Sequence, residues 1–324
     1  MPNRQSTKSI ETIAVTSTSF SQSDLLIKEL GSLGAQIHAN REGRKLSGKS
    51  LIEFIGSAEI AVIGVEPVTK DVLKACPGLK FIAKYGVGTD NLDLNAMAEL
   101  GVELGWTGGV NRRSVAELVL GFALGHLRNI VPTGRLLAQG KWQKQGGRQL
   151  SGVRFGIVGF GNIGTEVARL LNGLGLPAAQ ILFCDVIDRS EVAATLGATA
   201  ATYSQILATC DVISFHVPLT GQTRQMYGLS QIPTTKSDAL IINTSRGDVI
   251  DFDAVVDAVK KGRLGGYAAD VFPEEPFDAS PFASDLNLYF TPHIGGNAAE
   301  AVLAMGRSAV SHVANYLGQH QPQK

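Results

Sequence analysis

Residues Phe155–Gly164 read FGIVGFGNIG. A short Ile- and Val-bearing run enters Gly159, and the spacing Gly159-x-Gly161-x-x-Gly164 leads into a helical pattern from about Ile163. In the order strand, glycine turn, helix, the three glycines have separate tasks. Gly159 makes the tight turn. Gly161 lets the backbone approach a pyrophosphate. Gly164 permits close helix–strand packing, and the helix N-terminus favours phosphate charge. A glycine-rich turn alone is weak evidence. Here the next apolar run, ILFCD, ends in Asp185, about 20 residues on, where an acid accepts hydrogen bonds from ribose hydroxyls. That acid would repel a 2′-phosphate, so NAD is expected over NADP, with Arg189 close by as the one opposing signal.

The runs that follow repeat the theme. ILFCD, VISFHV, ALIINTS, GYAADV and LYFTPH join RFGIVGFG as six candidate strands with helical stretches between them, the pattern of one doubly wound dinucleotide-type sheet. Upstream, ETIAVTS, AEIAVIGV, LKFIAKYGVG and GVELGW alternate with amphipathic stretches such as Asp24–Leu33 and Val68–Ala75. This predicts a second parallel α/β unit. Ser114–Asn129 is a helix candidate, apolar almost all round and therefore buried, with Ser114 and Glu117 in a capping-box spacing. The polar, Gly-rich Gln139–Gly152 reads as a connection, and the tail from Gly318 as disordered.

Composition narrows the partners. Of the 324 residues, 29 are Lys or Arg and 29 Asp or Glu, so the formal charge is zero. Nucleic acid and anionic membrane surfaces, which call for a basic footprint, are not expected as partners. No apolar run approaches the ~20 residues of a membrane helix, and no apolar leader opens the chain. Three cysteines, Cys76, Cys184 and Cys210, form no CxxC. They suit a reducing compartment, with cytoplasmic location the expectation. The six histidines show no metal-ligand spacing, so no metal is expected.

Strand ends supply the candidate chemistry. His293 follows LYFTP and precedes Gly295 and Gly296. A sharp turn at the C-terminal end of a strand is where open α/β sheets place ligands, though by spacing alone this reads equally as a loop histidine. His216 also ends a strand and is a candidate for the cofactor lining; His126, on the apolar helix, reads as structural; His312 and His320 read as solvated. Arg246 follows ALIINTS and precedes Gly247, where a guanidinium can hold a carboxylate by two parallel bonds. The competing reading pairs Arg246 with Asp248 or Asp251. Asp270 ends GYAAD, and Glu275, in PEEPF, alone reads as a surface acid. KYGVGTDN, Lys84–Asn91, is a strand-to-helix turn able to form an anion nest or a plain connection.

Taken together, KYGVGTDNLD, NRRSVAEL, GIVGFGNIG, the acid of FCD, HVPLT, NTSRGDVID, AADVFPEEP and TPHIGG resemble the D-isomer-specific 2-hydroxyacid dehydrogenases in order and spacing, over nearly the full chain. The resemblance implies a Rossmann NAD-binding domain (residues 111–297) inserted into a flavodoxin-like substrate domain (residues 1–110 and 298–324). It implies an enzyme with NAD as cofactor, a small 2-hydroxy or 2-keto acid as substrate, and a homodimer. Residue by residue, Arg246 matches the arginine on the substrate carboxylate and carbonyl oxygen, His293 the acid/base, and Glu275 the carboxylate that bonds that histidine, favouring its imidazolium and orienting the ring. Val87 and Gly88 match the backbone clamp on the substrate carboxylate. The pyrophosphate falls to Gly159, Gly161, Asn162, Ile163 and Gly164, and the ribose to Asp185. His216, Val217, Pro218, Thr244, Ser245, Asp270 and Gly295 join the cofactor lining, with Asp270 on the nicotinamide carboxamide. Within the family the chain looks closest to phosphoglycerate-type members. Glu66, in GVEPVT, stands where those members often carry an arginine, and Arg112 and Arg113 are the possible substitutes. Glyoxylate or hydroxypyruvate reduction is the enzymatic alternative, with phosphite oxidation further off. An NAD-sensing module of the corepressor kind is the non-enzymatic one.

Overall fold

Runs such as Ile60–Ile63 and Phe155–Val158 are buried at every position, as strands covered by helices on both faces must be. The computed structural model describes residues 12–319; of the tail expected to be disordered, Gly318 and Gln319 instead end the helix Ala299–Gln319, and the rest, with His320, lies outside the described residues. The chain forms two units: one runs to Asn111 and resumes at Ala299, and the other spans Arg112–Ala298.

The first unit holds β1 (Thr12–Val15), β2 (Gln36–Ala39), β3 (Ile60–Ile63), β4 (Phe81–Lys84) and β5 (Glu103–Gly105), in the order β2-β1-β3-β4-β5. Every pairing is parallel, which is the flavodoxin-like arrangement. Polar residues start its helices: Ser23, Thr69 and Asp93 each accept a bond from the backbone N–H three residues on. The long helix Ala299–Gln319 packs Met305, Ala309 and Val313 into the same apolar cluster as Ile13, Leu26 and Phe81. Gly306 sits so close to Leu26 that a Cβ there would lie 2.3 Å from the leucine. His312, read as solvated, instead bonds Thr107 Oγ1 through Nε2 at 2.8 Å, and its own Cβ fills the space beside Gly105.

The second unit holds β6 (Phe155–Val158), β7 (Ile181–Cys184), β8 (Thr199–Ala200), β9 (Val212–Phe215), β10 (Leu240–Asn243), β11 (Gly266–Ala269) and β12 (Leu288–Phe290), ordered β12-β11-β10-β9-β6-β7-β8. All pairings are again parallel. This is the Rossmann order, reversing between β6 and β9. Two strands exceed the sequence expectation. β2 and β8 are both edge strands, with exposed or half-exposed residues and no apolar run to announce them. The apolar helix spans Arg112–Leu127 and buries Val115, Ala116, Val119 and Ala123. It ends before Asn129, whose left-handed backbone (φ 52°) starts a separate helix, Ile130–Ala138. No single helix among the described residues is long and apolar enough to cross a membrane.

Candidate active site

Because every strand of the second unit runs the same way, the residues that follow the strands gather at one sheet edge. Gly159 follows β6, Asp185 β7, His216 to Pro218 β9, Thr244 to Arg246 β10, Asp270 β11, and His293 with Gly295 β12. The sequence placed these residues far apart, and the parallel topology collects them.

The glycine turn fits a dinucleotide. Gly159 has φ 92°, and a Cβ there would lie 2.7 Å from the His216 carbonyl oxygen. A Cβ on Gly164 would lie 2.1 Å from the Gly159 carbonyl oxygen, so only glycine lets the helix Asn162–Gly173 sit on β6. Gly161, the N-cap, has nothing within 4 Å of its Cβ position. That open space is where a phosphate can meet the helix N-terminus. Asp185 accepts from Phe160 N at 2.6 Å and from Ile187 N at 2.9 Å. These bonds fix the carboxylate and leave lone pairs for ribose hydroxyls. Two buried polar atoms on the same edge, Thr244 Oγ1 and His216 Nδ1, lack protein partners, as atoms that await a ligand would. Burial pushes the His216 imidazole down to about 3, so its ring is neutral, and Nε2 pairs with Ser214 Oγ at 2.9 Å. The residues present therefore suit NAD.

At the end of β12 the structure brings His293 and Glu275 together. His293 Nδ1 lies 2.8 Å from Glu275 Oε2, and Glu275 Oε1 accepts from Phe272 N at 3.1 Å. The pair lines a cavity of about 440 Å³ walled by Phe272, Pro276, Phe277 and Phe290. His293 itself has φ 54°, a left-handed backbone that costs a non-glycine residue about 1–3 kcal/mol and persists only where its surroundings enforce it. Asp270 is part of that enforcement. It is 1% exposed, and its carboxylate accepts from Thr291 Oγ1 (2.5 Å), Ile294 N (2.8 Å) and Gly295 N (2.7 Å). Asp270, expected on the nicotinamide carboxamide, is seen to staple the histidine turn.

Arg246 leaves β10 with its carbonyl oxygen held by Asn243 Nδ2 at 2.9 Å. Of the two acids of the competing reading, Asp248 pairs with Arg224 at 2.5 Å, and Asp251 caps the helix Phe252–Lys260. Ser114 departs from its expected role. The helix begins at Arg112, so Ser114 lies inside its first turn and its hydroxyl reaches Gly295 O. Glu117 pairs with Arg113 at 2.6 Å. Arg112 and Arg113 also approach the buried Glu166, at 3.7 Å and 3.3 Å, a pull that nothing in NRRSVAEL announces.

In the first unit, Val87 and Gly88 follow β4, and Val87 O accepts from Trp106 Nε1 at 2.9 Å. Glu66 is buried. It is 8% exposed, and Oε2 accepts from Gly64 N at 2.7 Å and Thr16 Oγ1 at 2.9 Å. Lys84, which sequence reasoning passed over, is buried and donates to Gly64 O.

Comparison with known proteins identifies the family. The family described as "D-isomer specific 2-hydroxyacid dehydrogenase, NAD binding domain" matches residues 120–295. D-3-phosphoglycerate dehydrogenase of Methanocaldococcus jannaschii is 34% identical across 84% of the chain, which spans 52% of that protein's length. Glyoxylate reductase of Thermococcus litoralis is 34% identical across 78% of each chain. D-lactate dehydrogenase of Aquifex aeolicus, solved with NAD and lactic acid, shares the fold: TM-score 0.80, 23% identity, 95% of this chain and 96% of that one. The chain therefore belongs to the D-isomer-specific 2-hydroxyacid dehydrogenases, NAD-dependent oxidoreductases that act on the CH–OH group of hydroxy acids.

Proposed function

We propose that this chain interconverts a small 2-keto acid and its D-2-hydroxy acid, with His293 carrying the proton. The His293–Glu275 pair carries the reading: with Nδ1 committed to Glu275, Nε2 is the ring atom that gives or takes a proton. NAD bound in the glycine cradle supplies or accepts the hydride at C2. In reduction, Nε2–H of the imidazolium donates to the keto oxygen, and Arg246 stabilises the negative charge developing there. In oxidation, the neutral ring takes the hydroxyl proton. Glu275 orients the ring and fixes its tautomer. The backbone at Val87 and Gly88 holds the substrate carboxylate, while Thr244, Ser245 and Asp270 line the nicotinamide. A cytoplasmic homodimer belongs to the same proposal.

The phosphoglycerate-type relatives make 3-phosphoglycerate the first substrate to try. A specific observation favours the second reading, a glyoxylate or hydroxypyruvate reductase. Arg112 and Arg113 already serve Glu166 and Glu117, so a phosphate would compete for them. The test is NADH consumption with phosphohydroxypyruvate, hydroxypyruvate and glyoxylate. A preference of about tenfold in kcat/KM, or 1.4 kcal/mol in transition-state binding, decides between the two. NADH that binds but is consumed with no 2-keto acid would sink the proposal.

A further inference from the structure

The Arg112–Leu127 helix opens the second unit and Ala298 ends it. Ser114 joins these two ends. Its Oγ donates to Gly295 O at 2.5 Å and accepts from Ala298 N at 3.3 Å. The same short segment, Thr291 to Ala298, carries His293 and is gripped separately by Asp270 through Thr291, Ile294 and Gly295. Gly295 makes the double grip possible. A Cβ there would lie 2.9 Å from Asp270 Oδ2 and 3.6 Å from the side chains of Val115 and Leu118. A turn that holds His293 in a left-handed conformation depends on such outside restraint.

We infer that Ser114 is a positioning residue for the reaction: through Gly295 and Ala298 it fixes the turn that aims the His293 imidazole. The inference rests on His293 being the proton carrier. Displacing a reacting group by about 1 Å costs on the order of a hundredfold in rate, and loss of the Ser114 hydroxyl frees the turn on one side only.

The experiment compares Ser114→Ala and Ser114→Thr, each alone and combined with His293→Ala, by steady-state kinetics and NADH binding. Ser114→Ala is expected to lower kcat by about tenfold to a hundredfold, with KM for NADH held within about twofold. Ser114→Thr, which keeps the hydroxyl, recovers most of the rate. In the His293→Ala background, Ser114→Ala lowers the residual rate no further, because nothing remains to be aimed. Wild-type turnover in Ser114→Ala overturns the inference. So does an equal loss in the Ala and Thr variants, or an additive loss on top of His293→Ala, either of which marks Ser114 as merely structural. If His293→Ala alone keeps wild-type turnover, the assignment of the proton falls first. If it abolishes turnover while Ser114→Ala changes nothing, only the role of Ser114 falls.

Discussion

Glu275 has two oxygens and two commitments, Oε2 to His293 Nδ1 and Oε1 to Phe272 N. The backbone N–H of Phe272 can only donate, so the atom facing it must accept. In Glu275→Gln the amide oxygen takes that place and the NH₂ is left facing Nδ1. The ring then keeps its proton on Nε2 when neutral, which is the wrong tautomer for taking a proton from a hydroxyl. The expected result is a fall in kcat/KM of about a hundredfold or more. Both directions fall by the same factor, since an enzyme cannot shift the overall equilibrium. NADH affinity stays as it was, because the glycine cradle is untouched. A variant within about threefold of wild type would mean that Glu275 does not set the tautomer.

Two glycines of one motif fail in different ways, and the helix Asn162–Gly173 shows why. At Gly164 a methyl would lie 2.1 Å from Gly159 O and push the helix off β6; at Gly161 it would meet only open space. Gly164→Ala is therefore expected to destabilise the second unit by about 1–3 kcal/mol, the range for overpacking, and to lose NADH with it. Gly161→Ala is expected to melt like wild type while NADH binding weakens, since the methyl occupies the proposed phosphate approach. Thermal melts beside a fluorescence titration of NADH separate the two, and a melting temperature lowered equally in both would refute the distinction. These needs are local, met within about ten residues, and this is why the motif could be read from sequence. Asp185 could be read for a related reason, standing at the end of the very next strand. Long-range needs left weaker marks. Ser114 meets Gly295 across 181 residues, and its Ser-x-x-Glu spacing imitates a cap that the helix does not use. Glu66 reads only as an acid where related chains often carry an arginine, and nothing in GVEPVT announces its bond with Thr16, 50 residues away. Glu275 is an exposed loop acid whose meaning comes only from the histidine 18 residues on. The edge strands β2 and β8 lack the apolar run that marks a covered strand, and only their pairing with β1 and β7 defines them.

Protonation ties the chemistry of half-buried histidines to the stability of each unit. Burial holds three imidazoles below the ordinary value of 6.5: His126 and His216 in the second unit and His312 in the first. Burial is the largest influence on all three, and for His126 the charge of Asp238 opposes it. In the unfolded chain each takes up a proton as the pH falls through 6.5, while the folded ring resists. The unfolded state then binds more protons, so stability is full above 6.5 and declines as the pH drops toward the folded values. For His216, whose folded ring stays neutral to about pH 3, the loss approaches about 1.4 kcal/mol per pH unit. Acids held below their ordinary range, such as Asp211, add their own loss only near and below the ordinary carboxylate value, so the interval from pH 6.5 to 5 isolates the histidines. With two of the three rings, the second unit is expected to lose stability faster there than the first. Calorimetry without NADH should show its transition falling more steeply with acid, and His216→Asn should remove about one proton's share of that slope. An unchanged slope in that variant would show that His216 is protonated in the folded protein after all, and the end of β9 would then carry a positive charge.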